Sequence, residues 1–292
     1  MTDRTSDLPA VELHGITKRF IQTAANGYFQ GVLQNTPPKK TAGNPKGTGN
    51  KKNTAGSKNT DAAESKNESV YFTALDNISF CLYKGECVLI AGANGSGKSL
   101  LMSIIAGLDK PTRGSLNIRG RCGLVFQDAD TQILGETPVE DIMFGLKNLK
   151  IPENEAKKRV YAALEKTGLL ERSFFPARFL SGGEKRRLAV AGILAMDCPI
   201  IIFDEPFANL DYSGVVQVNK LIQMLKAEKH TVLLLTHELE KCYALADRLI
   251  VLHGGKTVFD GLPEEGLQQD LLHWNIRHPL ASYTKREDLL WT

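Results

Sequence analysis

The sequence predicts an α/β fold: a buried, mainly parallel sheet covered by helices. Two apolar runs and one turn carry the prediction. Cys87-Val88-Leu89-Ile90-Ala91 and Ile200-Ile201-Ile202-Phe203 are unbroken apolar stretches of strand length, the pattern of strands covered on both faces. Between the first run and the helical-spaced Leu100-Leu101-Met102-Ser103-Ile104-Ile105-Ala106 stands Gly92-Ala93-Asn94-Gly95-Ser96-Gly97-Lys98-Ser99. Strand, glycine-rich turn, Lys-Ser and helix form the phosphate-binding pattern G-x-x-x-x-G-K-[ST].

The chemistry requires those residue types. Glycines let the backbone curl until successive N–H groups point at phosphate oxygens, and the helix N-terminus adds positive potential at the same spot. Lys98 can reach the β- and γ-phosphates, and the Ser99 hydroxyl can ligate Mg²⁺. The second run ends in Asp204-Glu205, acids at the carboxyl end of a central strand, where ligands bind in open sheets.

In chain order, residues 11–20 read as a first strand, 75–83 as a second and 115–118 and 122–126 as two short ones. Helical spacing appears over 138–146 and 153–169, an insertion between strands, and again after Ser181. A helix is predicted from Val215 to Lys226, a strand from Thr231 to Thr236, a helix from Glu238 to Ala246, and hairpin-like strands around 249–252 and 257–259. From Thr36 to Ser69 there is no Leu, Ile, Val, Met or aromatic residue. Such a segment cannot bury enough apolar surface to offset its chain entropy and reads as a disordered insertion. The expected divisions are 1–35 (the first strand and start of the nucleotide-binding domain), 36–69 (the insertion), 70–262 (the main domain, which carries the phosphate loop) and a tail, 263–292.

Composition excludes several classes. The five cysteines are odd in number and form no CxxC pair, which argues against a disulfide framework or zinc site and for a reducing compartment. No run approaches the ~18 apolar residues of a membrane span, and the polar N-terminus shows no secretory pattern. Net charge is +3, but residues 36–69 alone carry seven Lys against three acids, so the remainder is close to neutral. A nucleic-acid binder shows its basic face on the fold itself, so no nucleic-acid partner is expected.

Taken together the motifs resemble the ATP-binding cassette ATPases of ABC transporters, over roughly residues 11–262 apart from the insertion. Residues 92–99 match Walker A, Ile200 to Glu205 match Walker B with its following glutamate, and Leu180-Ser181-Gly182-Gly183-Glu184 resembles the signature LSGGQ with Glu in the last place. Gln127 falls at the Q-loop, Ala208-Asn209-Leu210-Asp211 resembles the D-loop, and His237 takes the switch-histidine position.

The resemblance implies a P-loop NTPase core with a mainly parallel sheet, an antiparallel β subdomain and an inserted α-helical subdomain over about 133–180. It implies Glu205 as general base, His237 and Gln127 beside the γ-phosphate, and Ser99, Gln127 and Asp204 around Mg²⁺ bound with ATP. It implies Ser181, Gly182, Gly183 and Glu184 as an anion site for ATP on the opposite subunit of a head-to-tail dimer, with Asp211 in the D-loop beside them. Phe20 takes the place of the aromatic that stacks on adenine, with Tyr71 and Phe72 as alternatives.

Thr137-Pro138-Val139-Glu140-Asp141-Ile142-Met143-Phe144-Gly145 and Ala191-Gly192-Ile193-Leu194-Ala195-Met196 look like the ATPases of energy-coupling factor importers for vitamins and transition-metal ions. That likeness implies a second ATPase subunit, a transmembrane coupling protein and a substrate-binding membrane protein as partners, at the cytoplasmic face of the cell membrane. The alternatives are the motor of another ABC transporter type, or a soluble ABC ATPase acting on nucleic acid.

Overall fold

A computed structural model describes residues 8–22, 29–31 and 70–286. The 36–69 insertion lies outside the described residues.

Two sheets organise the described residues. The first is antiparallel: β1 (Val11–Gln22) is flanked by β2 (Phe29–Gly31) and β3 (Val70–Leu82), and β5 (Arg113–Ile118) pairs with β1 as well. The second has six strands. They are β4 (Cys87–Ala91), β6 (Cys122–Val125), β7 (Ile200–Asp204), β8 (Thr231–Thr236), β9 (Arg248–His253) and β10 (Lys256–Gly261). Their order is β10-β9-β4-β8-β7-β6, and every pairing is parallel except the β9–β10 hairpin.

The unbroken apolar runs follow from burial on both faces. Along β4, Cys87, Leu89 and Ala91 enter one hydrophobic cluster, while Val88 and Ile90 enter another. The period of two sends alternate side chains to opposite faces, and both faces are covered. One face packs on α4 (Gly182–Ala195) and α5 (Tyr212–Ala227), the other on the antiparallel sheet and α1 (Lys98–Ile105).

A third cluster belongs to α2 (Pro138–Asn148) and α3 (Glu153–Lys166), where Ile142, Leu146, Val160 and Leu164 pack together. Thr137 caps α2, accepting from the Glu140 N–H at 3.3 Å, and Pro138 at the first helical position suits the fixed φ there. The Asp141 carboxylate accepts from Leu134 N and Gly135 N at 2.7 and 3.0 Å, fixing the approach to α2.

Helix α4 serves two clusters. Leu188, Ala191 and Ala195 join the helical one, while Ala189, Val190 and Ile193 join the core beneath the sheet. It is therefore apolar on more than one side, as a helix between two cores must be. Its N-terminus carries the full capping box: the Ser181 hydroxyl accepts from Glu184 N at 3.3 Å, and the Glu184 carboxylate accepts from Ser181 N at 2.8 Å.

One sequence expectation fails. The helix predicted from Glu238 to Ala246 is two separate 3₁₀ turns, Leu239–Lys241 and Tyr243–Leu245, broken at Cys242 with φ −144°. Helix α5 supplies the reason. Asn219 Nδ2 donates to the Lys241 carbonyl at 2.7 Å, the acceptor that Leu245 N–H would use in a continuous helix, and Lys226 Nζ donates to the Leu245 carbonyl at the end of the segment. Leu239, Cys242 and Leu245 are buried in the core. Beyond β10, α6 (Pro263–Gly266) and a 3₁₀ turn, Leu271–Trp274, bring Leu271 and Ile276 onto the same core.

Candidate functional site

The phosphate loop leaves β4 and enters α1. Two glycines in it are required by space. A Cβ at Gly92 would lie 2.4 Å from Ser96 Oγ and 2.5 Å from the Leu252 carbonyl oxygen. Gly97 has φ +100°, and a Cβ there would lie 2.6 Å from Leu75 Cδ2. Gly97 is also the N-cap of α1 and provides no side-chain cap, so the first-turn N–H groups face the site, ready for an anion.

Lys98 is 5% exposed. Its Nζ donates to the Gly92 and Ala93 carbonyls at 2.6 and 3.2 Å and stands 3.7 Å from Glu205 Oε1. Burial pulls its pKa below the ordinary ammonium value, against the opposing pull of Glu205 and Asp204. Ser99 Oγ donates to Asp204 Oδ1 at 3.3 Å. Asp204 closes β7 and is buried; burial first, then the Glu205 charge, raises its pKa above the usual carboxylate value.

Glu205 is held in the left-handed region at φ 45°, a conformation that costs a non-glycine residue about 1–2 kcal/mol. The neighbouring strand holds it there. Its N–H donates to the Leu235 carbonyl at 2.8 Å, and its carboxylate accepts from Thr236 Oγ at 2.8 Å and from His237 N at 3.4 Å. His237 Nδ1 stands 2.9 Å from Glu205 Oε1. The end of β8 thereby fixes a carboxylate carried by the end of β7.

These groups meet in a cavity of about 360 Å³ lined by Phe72, Lys98, Ser99, Gln127, Glu205 and His237. Asp204 stands behind Ser99 through their hydrogen bond. Phe20 is not among the lining residues. It lies directly opposite Phe72 in the β1–β3 ladder, with Lys18 Nζ 5.5 Å from its ring centre. Phe72, half exposed on β3, is the aromatic that reaches the cavity.

The remaining predicted residues stand apart from this cavity. Ser181, Gly182, Gly183 and Glu184 form the capped start of α4, and Asp211 caps α5 by accepting from Gly214 N at 2.7 Å. The two turns touch each other: a Cβ at Gly182 would meet Leu210 Cδ2 at 3.4 Å. Burial raises the pKa of Glu184, but the Ser181 hydrogen bonds, with Arg172 and Arg187 nearby, outweigh it and leave the carboxyl below its usual range.

Sequence reasoning missed three supports of the site. Thr236 anchors Glu205, and its position at the end of a buried strand was the available signal. Gln132 closes the loop that carries Gln127, accepting from Phe126 N at 3.1 Å and donating to the Leu124 carbonyl at 2.8 Å. It thereby satisfies the open edge of β6, which among the described residues pairs only with β7. The third is Arg186, a buried cation one turn into α4 that donates to the Gln127 carbonyl at 3.1 Å. Nothing in the local sequence marked either of these two.

A glycine-lined phosphate loop, a buried lysine and paired acids at a strand end define a P-loop ATPase. Comparison with known proteins refines the class. The ABC transporter family pattern matches residues 75–208. An energy-coupling factor transporter ATP-binding protein, EcfA1, of Caldanaerobacter subterraneus is 42% identical over 216 residues, which are 69% of this chain and 78% of that protein. The EcfA2 protein of Methanospirillum hungatei is 38% identical over 207 residues, 66% of this chain, and the match spans about half (52%) of that relative's length. Among solved structures, cbiO1 from Clostridium perfringens, described as part of the ABC transporter complex cbiONQ, superposes with a TM-score of 0.66 at 26% identity, covering 91% of this chain and 93% of that one. The chain belongs to the energy-coupling factor transporter ATP-binding proteins, within the ABC transporter family. It is an ATP-binding ATPase. Among the described residues, no helix is long and apolar enough to cross a membrane.

Proposed function

We propose that the chain is the ATP-hydrolysing motor subunit of an energy-coupling factor type importer for a vitamin or a transition-metal ion. The observation that carries the reading is the single cavity shared by Lys98, Ser99, Gln127, Glu205 and His237, in a chain 42% identical to an energy-coupling factor ATPase.

ATP binds with its phosphates on the 92–99 loop, where backbone N–H groups and Lys98 take the negative charge. Lys98 exchanges its carbonyl contacts for phosphate oxygens, which suits a buried cation better than neutral acceptors do. Phe72 stacks on adenine. The Ser99 hydroxyl and Asp204 carboxylate are 3.3 Å apart, with the Gln127 side chain on the same cavity wall. They are hard oxygen donors and fit Mg²⁺, which takes few protein ligands and completes its shell with phosphate and water. Bound there, Mg²⁺ would neutralise charge on the β- and γ-phosphates.

Glu205 polarises the attacking water as general base, and His237 beside it holds the γ-phosphate. Ser181, Gly182 and Gly183 face the nucleotide of a second ATPase subunit in a head-to-tail dimer, with Asp211 at the same interface. Closure of that dimer on ATP moves the membrane partner, and hydrolysis resets it. A coupling protein would dock on the helical region, where Leu134, Phe144 and Phe174 leave large apolar side chains exposed. The assembly works at the cytoplasmic face of the membrane.

The test is a pull-down of the full chain from membranes in mild detergent. One coupling protein and one small integral membrane binder are expected. Recovery with a pair of larger permeases moves the chain to another transporter type, and recovery only from the soluble fraction removes transport altogether.

A further inference from the structure

Arg186 is 4% exposed, and a buried arginine is rare unless something holds its charge. No carboxylate pairs with it among the described hydrogen bonds and ion pairs. One of its nitrogens, Nη2, instead donates to two backbone carbonyls from different loops: Gln127 at 3.1 Å and Ala208 at 2.7 Å. Nε has no hydrogen-bond partner among the described residues. A cation is thus kept buried and incompletely satisfied in order to hold two loops on one atom.

The two loops are functionally distinct. Gln127 lines the nucleotide cavity. Ala208 begins the turn that reaches Asp211 and the start of α5. Arg186 itself rides on α4, whose first turn is the glycine-rich Ser181 to Glu184. The preceding residue makes a parallel tie: Lys185 Nζ pairs with the Asp130 carboxylate, on the far side of the Gln127 loop. Two successive residues of α4 therefore grip one loop at both ends.

We propose that Arg186 is a positioning residue for hydrolysis. By holding the Gln127 and Ala208 carbonyls on a single guanidinium nitrogen, it sets where the Gln127 side chain stands at the cavity wall and makes that position follow α4. A shift of α4 relative to the sheet then moves Gln127 and the 208–211 turn together. The inference rests on the hydrolytic role given above to Gln127.

A double-mutant cycle on the purified full chain tests it, with steady-state ATP hydrolysis as the readout and circular dichroism confirming that each variant is folded. Arg186→Met keeps the bulk and removes the donors. It is expected to lower kcat about tenfold, while KM for ATP changes less than about twofold, because misplacement of a positioned group costs rate rather than ground-state binding. In a Gln127→Ala background it lowers kcat by clearly less than it does in the wild type, since one of the two groups it positions is gone. Arg186→Lys, which keeps a charged donor without the planar fork, falls between wild type and Arg186→Met.

Two losses that multiply in the double variant would show independent effects and overturn the proposal. So would a rise in KM at unchanged kcat. Should Arg186→Met fail to fold, the same cycle is run with Arg186→Lys and the same criterion applies. Wild-type kcat in Gln127→Ala alone overturns the role of Gln127 itself, an outcome distinct from additivity in the cycle.

Discussion

His237 Nδ1 and Glu205 Oε1 stand 2.9 Å apart, and the contact joins the ends of two neighbouring parallel strands. Because Thr236 Oγ and the His237 N–H hold the other carboxylate oxygen, the whole Glu205 side chain is oriented by the residues that close β8. Glu205→Gln keeps the shape and an acceptor oxygen but removes the base. Hydrolysis should fall at least about 100-fold, the lower end for a lost general base, while ATP binding persists. Phosphate-release assays measure the first; size-exclusion chromatography with ATP should show an accumulated dimer. Hydrolysis at the wild-type rate would remove Glu205 from its role.

Lys98 is buried, and its Nζ donates to the carbonyls of Gly92 and Ala93. Lys98→Ala removes the one side-chain cation the loop aims at phosphate. Nucleotide affinity should weaken by at least about 1.5–3 kcal/mol, the range for a hydrogen bond to a charged group. Calorimetric titration with ATP reads this directly, and unchanged affinity would contradict it.

Asp204 offers a pH test. Burial and the Glu205 charge raise its folded-state pKa above 3.8, so the folded state holds this proton more tightly than the unfolded chain does. Its contribution to stability is therefore fully present below the unfolded pKa and is lost as pH rises through the folded value. Asp204→Asn should be more stable than wild type at neutral pH, and the gap should close as pH falls toward the ordinary carboxylate range. Thermal midpoints of the nucleotide-free proteins across that range check the sign. The same variant should lose Mg²⁺-dependent hydrolysis.

Glu184 fills the last place of the Leu180-to-Glu184 turn that resembles LSGGQ, and its carboxylate closes the capping box of α4. Glu184→Ala should cost about 1 kcal/mol through loss of the cap. Glu184→Gln keeps an acceptor for Ser181 N and should leave stability within about 0.5 kcal/mol. It also removes a negative charge from the turn proposed to face the partner's nucleotide. ATP-dependent dimerisation of Glu184→Gln should then be at least as strong as wild type, measured by light scattering.

Most of the fold was legible because its elements carry local signals. The parallel strands announced themselves as continuous apolar runs, and the phosphate loop by glycines that its geometry cannot replace. The 238–246 segment misled because its residues suit a helix and the competing interaction comes from elsewhere: Asn219 and Lys226 on α5 take its carbonyls. For the adenine-stacking aromatic, Phe20 has the expected place in the sequence, and the ladder sets Phe72 opposite it on the neighbouring strand, where Phe72 lines the cavity.

By itself the sequence determined the chemistry of the phosphate loop, the acids at the end of β7 and the order of the motifs, because each depends on residue types at short spacing. Only the tertiary structure decided how those motifs are held. Thr236 and His237 orient Glu205 from the adjacent strand, Gln132 closes the Gln127 loop on the edge of β6, and Arg186 binds carbonyls of two loops from α4. Those made by Gln132 and Arg186 to backbone carbonyls join residues between 8 and 59 positions apart. A backbone carbonyl has no residue identity, so no pattern of side chains in the sequence can reveal which donor will reach it.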